Sequence, residues 1–144
     1  MPSLSLASLL LLVSAAVIFA LGTVHLWITF RGSKLHPRDA ALIQQMQSVT
    51  LRLTRETTMW KAWIGFNASH SFAGMLFGLV YGYFALSASA LFFSSMFLQG
   101  VGLAFLLGLV FLGKRYWFRV PFTGILIATI SYIAALVVGF SPHT

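Results

Sequence analysis

Four apolar runs divide the chain, at residues 4–30, 59–86, 90–112 and 118–140. Each matches or exceeds the ~20 residues that a transmembrane helix needs. The interval 31–58 is the only sizeable polar stretch between them. Gly32 and Ser33 break the first helix there. Within it Leu42, Met46, Val49 and Leu53 recur at spacings of four, three and four. That apolar stripe predicts an amphipathic helix over 38–56 lying on the membrane surface, with Pro37 at its start and Asp39 in its first turn. Arg38, Arg52 and Arg55 can reach lipid phosphates from it, and Arg52 and Glu56 are spaced to pair. The 87–89 turn is short and uncharged, so spans two and three should be antiparallel neighbours. The pattern therefore predicts an all-α, integral membrane four-helix bundle, a single transmembrane domain over 1–144 with a surface helix between spans one and two. Residues 1–8 contain no Lys or Arg, and the apolar run continues to Phe30. That favours an uncleaved span over a signal peptide.

The second run organises the rest. Wound at about 100° per residue, its residues Trp60, Trp63, Asn67, His70, Ser71, Gly74, Gly78, Tyr81 and Gly82 fall within roughly 60° of one line. Phe72, Leu76, Leu79, Val80 and Tyr83 take the opposite side, suited to lipid. The spacing of Gly74, Gly78 and Gly82 permits close approach of another helix. Packing within the chain is the first expectation, with a homo-oligomer or a membrane-protein partner as the alternative. In span one, Ser14, Ile18, Leu21, Gly22, His25 and Thr29 share a face.

Composition fixes the class. Of 144 residues, 59% are hydrophobic and 8% charged, and the mean hydropathy is +0.92. With no cysteine, disulfides, thiolate metal sites and cysteine nucleophiles are excluded. The net charge of +7 does not signal nucleic acid. All nine Lys and Arg residues flank the spans, in or next to the loop before span two and the link before span four. By the positive-inside rule both basic loops face the cytoplasm and both termini lie outside. The expected location is the inner membrane, with the lipid bilayer as surroundings. Tyr116, Trp117 and Phe118 read as an interfacial aromatic belt, and Ser141, Pro142, His143 and Thr144 as a short polar tail.

Polar groups inside the spans carry the candidate chemistry, because an unpaired one in hydrocarbon costs several kcal/mol. Asn67, His70 and Gln99 each lie about ten residues, ~15 Å, from a helix end. His25 lies closer in depth to Trp63 and Asn67. The expected ligand-binding candidates are His70, Asn67, Trp63, His25, Gln99 and Tyr132. The competing expectation is that these groups only hydrogen-bond the helices together. No Asp or Glu lies inside a span, which argues against carboxylate-driven antiport, paired-carboxylate hydrolysis and oxygen-ligated di-metal chemistry. Haem held by His25 and His70 is a further option, as is histidine acid–base chemistry of an oxidoreductase or isomerase.

The segments LHPRDAAL, TTMWKAWIGFNASHSFAG and LFGLVYGY resemble a family of small bacterial four-span membrane proteins, over about residues 25 to 85. WIGFNASH, a WxGFNxSH-type motif, is the most specific part. That resemblance implies the four-span fold and brings no activity, substrate or cofactor. In architecture alone the chain is similar to DoxX-like and sterol-isomerase-like proteins. The latter use membrane-embedded carboxylates, which this sequence lacks in its spans. The expected function is a small inner-membrane protein binding a small apolar ligand, lipid or quinone-like, in an intramembrane pocket. The alternative is an accessory subunit of a larger membrane complex.

Overall fold

The computed structural model describes residues 4–140, and the 141–144 tail lies outside the described residues. Six helices follow in order: α1 Leu6–Phe30, α2 Ala40–Ser48, α3 Met59–Ser87, α4 Ser89–Ser94, α5 Met96–Tyr116 and α6 Arg119–Phe140. Among the described residues, the one β contact is an isolated antiparallel bridge between Thr50 and Thr58. Three helices, α1, α5 and α6, are long and apolar enough to cross a membrane. At 29 residues α3 is the longest of all. It falls short of the other three in hydropathy because Asn67, Ser69, His70 and Ser71 interrupt its apolar run.

The chain divides into two units, one of residues up to Leu21 with 74 onward, the other Gly22–Ala73. In the first, Leu11, Ala15 and Ile18 of α1, Phe77, Tyr81 and Ala85 of α3, Phe92 of α4, Leu106 of α5 and Ala128 and Tyr132 of α6 form one buried core. Small residues set its closest approaches. A Cβ on Gly78 would sit 2.8 Å from the Ala15 carbonyl oxygen and 2.5 Å from the Phe19 Cβ. One on Gly102 would meet the Tyr81 ring at 2.7 Å and overlap the Tyr132 hydroxyl. Phe72, Leu76, Leu79, Val80 and Tyr83 are all exposed.

The third span is broken in two. Its expected range, 90–112, is replaced by α4 and α5 with Ser95 between them. The Ser95 hydroxyl accepts from the Leu98 N–H at 3.3 Å and caps α5. Across the break, the Gln99 amide donates to the Phe92 and Phe93 carbonyls at 3.1 and 2.9 Å, satisfying the end of α4. The helix then runs past Gly113 to Tyr116, with Lys114 and Arg115 in its last turn, where cations complement the helix dipole. Two residues, Trp117 and Phe118, separate α5 from α6, which return antiparallel. Gly113 faces Phe122, and Tyr132 reaches the Gln99 carbonyl.

In the second unit the helix expected over 38–56 spans only Ala40–Ser48. Asp39 is its N-cap, with a side chain accepting from the Ala41 N–H at 2.8 Å, so it does not lie in the first turn. Residues 49–58 return as a closed loop, with the Met59 N–H on the Val49 carbonyl at 3.0 Å. β-Branched Val49, Thr50, Thr54, Thr57 and Thr58 favour that extended course over helix. The Arg52–Glu56 pair consequently does not form, since its residues no longer share a helix face. Gly32, at φ +96°, turns the chain out of α1, a backbone state glycine enters at little cost.

Candidate functional site

Two helical segments of the second unit place three polar side chains together. His25 sits near the end of α1, and Asn67 and His70 lie one turn apart on α3. Asn67 Nδ2 donates to the Trp63 carbonyl at 2.8 Å. A carbonyl can only accept, so this bond fixes the amide orientation and turns Oδ1 toward His25. His25 Nε2 lies 3.0 Å from that oxygen and must therefore be the protonated nitrogen that donates. In the neutral ring Nδ1 is then the acceptor. The His70 ring meets His25 edge to face, with centroids 5.6 Å apart.

Hydroxyls one turn away back this cluster. Thr29 donates to the His25 carbonyl at 2.7 Å and Ser71 to the Asn67 carbonyl at 2.8 Å. Both hydroxyl-bearing residues are buried, and both bonds run from a side chain to the carbonyl four residues earlier, a usual solution for Ser and Thr in helices. Their bonding had its signal in the sequence, since Thr29 and Ser71 follow His25 and Asn67 at i+4 on the same faces.

The other candidates are arranged differently. Gln99 and Tyr132 belong to the first unit. There the Gln99 amide serves the end of α4, and the Tyr132 hydroxyl donates to the Gln99 carbonyl at 2.9 Å. Tyr81 donates likewise to the Leu98 carbonyl at 2.8 Å. Periodicity placed Tyr81 on the right face of α3 but gave no hint of that bond. Trp63 is divided: its carbonyl holds Asn67, while its side chain lines an open groove of about 340 Å³ with Leu35, His36, Pro37 and Met46. Gly74 and Gly78 are buried and Gly82 half-buried.

The arrangement can hold a hydroxyl or carbonyl between imidazole donors and acceptors. It does not fit a haem. Axial ligation aims one nitrogen of each ring at the iron from opposite sides of a flat macrocycle. These rings meet edge to face, and His25 Nε2 is engaged by Asn67. Among the described residues no group of three or more His, Asp or Glu side chains could hold a metal ion. No family model, curated protein or solved structure matches the chain.

Proposed function

We propose that the protein is a four-span inner-membrane protein whose α3 crosses the bilayer, with both termini outside and both basic loops cytoplasmic, and that it binds a small apolar molecule, lipid or quinone-like, through the polar head of that molecule. His25, Asn67 and His70 supply the contacts. One observation carries this reading: two histidines and an amide meet on helices whose other faces are exposed and apolar, with His25 held in one tautomer by Asn67. Fixing a ring in one protonation pattern is what a hydrogen-bonding site for a neutral head requires. An accessory-subunit role through the glycine face is less well supported, because Gly78 already packs on Ala15 and Phe19 of its own chain.

Native mass spectrometry of the purified protein tests the proposal. Wild type should retain a lipid or quinone-like molecule, and His70→Gln should lose it. The melting temperature should barely change, since a hydrogen bond within a membrane averages about 0.6 kcal/mol. A wild type with nothing bound, together with a large stability loss in the variant, would leave His70 a purely structural residue.

A further inference from the structure

We infer that the groove beside α2 is a binding site for one anionic phospholipid, its acyl chain lying on Leu35, Pro37, Met46 and Trp63 and its phosphate on Lys34 and Arg38. This site is separate from the His25–Asn67–His70 cluster and does not depend on it. The groove holds about 340 Å³, inside the ~300–1,000 Å³ range of small-molecule clefts. Its lining is apolar except for His36, whose ring is held edge-on against Trp60 at 4.8 Å between centroids.

Charge selects the occupant. Lys34 and Arg38 bracket the lining residues 35–37 in the chain, and both are exposed. Residues 31–61 carry six Lys and Arg against Asp39 and Glu56. Asp39 is committed to capping α2 through the Ala41 N–H. Glu56 lies in the 49–58 loop, outside the helix register that would have paired it with Arg52. Arg31 sits over the Trp27 ring at 5.3 Å, while neither carboxylate is committed to Lys34 or Arg38. Apolar side chains on the same segment point outward as well, Leu42, Val49 and Leu53 among them, with Leu53 92% exposed. The depth of the groove rests on the proposed crossing of the bilayer by α3, which would set Trp60 and Trp63, at the start of that helix, at headgroup level. An apolar groove at that depth, whose lining residues 35–37 are flanked in the chain by the exposed Lys34 and Arg38, matches a molecule with an acyl chain and a phosphate.

The test uses full-length protein in nanodiscs of phosphatidylcholine containing brominated phosphatidylglycerol, or brominated phosphatidylcholine as the comparison. Brominated phosphatidylglycerol should quench Trp63 fluorescence more strongly, with the difference assigned by Trp63→Phe. Native mass spectrometry should show retained phosphatidylglycerol. Retention should fall about thirtyfold in the Lys34→Gln/Arg38→Gln double variant, at about 1 kcal/mol per basic residue near an anionic surface. Both residues are exposed, and an unchanged circular-dichroism melt will show that the variant folds. The matched Lys114→Gln/Arg115→Gln variant should keep the lipid. Equal loss in both double variants would overturn the site, leaving only nonspecific attraction to charge. Displacement of the lipid by inorganic phosphate, or equal quenching by the two brominated lipids, would overturn it too.

Discussion

The sharpest residue-level feature is the hydrogen bond between His25 and Asn67, because one amide decides a histidine tautomer. Nitrogen NMR of labelled protein should show His25 protonated at Nε2 with Nδ1 bare, and Asn67→Ala should release that preference. Equal tautomer populations in wild type would mean that the Asn67 amide does not face His25. A double-mutant cycle of His25→Ala and Asn67→Ala, followed by thermal unfolding in detergent, should give a favourable coupling of about 0.6 kcal/mol, the average for interhelical bonds in membranes, and no more than about 1.7 kcal/mol. Coupling of zero would remove the bond from the description. That His25 comes near Asn67 in level was legible from helix rise, as His25 lies five residues before the end of α1 at Phe30 and Asn67 eight residues after the start of α3 at Met59. The carbonyl that orients Asn67 was not, because a backbone acceptor at i−4 is invisible to any pattern of side chains. Gln99 was singled out as a polar group at mid-span. Its partners, two carbonyls exposed by a helix break, depend on a break that the apolar run conceals.

Among the elements, α3 carries the clearest contrast between its faces. Gly78→Leu should unfold or misassemble the protein, since even one added carbon would strike Ala15 and Phe19. Overpacking of this kind costs about 1–3 kcal/mol and occasionally more. Leu76→Ala, at a side chain 62% exposed, should be tolerated. Thermal stability of the two variants in detergent decides the matter, and equal tolerance would mean the helix is turned the other way. The sequence pattern located α1, α3 and α6 to within about two residues, because long apolar runs with a 3.6-residue period leave little choice of structure. It failed where local hydrogen bonding overrides the pattern. The stripe Leu42, Met46, Val49, Leu53 kept its helical spacing, yet the chain leaves the helix at Ser48, where threonines and a bridge from Thr50 to Thr58 offer another course. The break at Ser95 likewise had only the Ser94–Ser95 pair to announce it.

For the whole molecule, the central claim is that α3, with its histidine and asparagine, crosses the membrane alongside α1, α5 and α6. Its 29 residues extend about 43 Å at 1.5 Å each, against a hydrocarbon core of ~30 Å. Its most apolar stretch falls short of those of α1, α5 and α6, as a crossing helix that gives one face to polar groups would. Six of the nine basic residues precede Trp63 and the other three lie at 114–119, which puts both groups on one side of the membrane if the spans alternate. Reporter fusions at residue 144 and in the 87–89 turn should then read outside, and one at Lys114 inside. The absence of cysteine gives the most direct measurement a clean background: single cysteines at Lys61, Leu76 and Ser87, labelled in right-side-out and inverted vesicles with a membrane-impermeant maleimide. The account predicts that Lys61→Cys reacts only from the cytoplasmic side, Ser87→Cys only from outside, and Leu76→Cys from neither. Labelling of Lys61→Cys and Ser87→Cys from the same side, or ready labelling of Leu76→Cys, would contradict it.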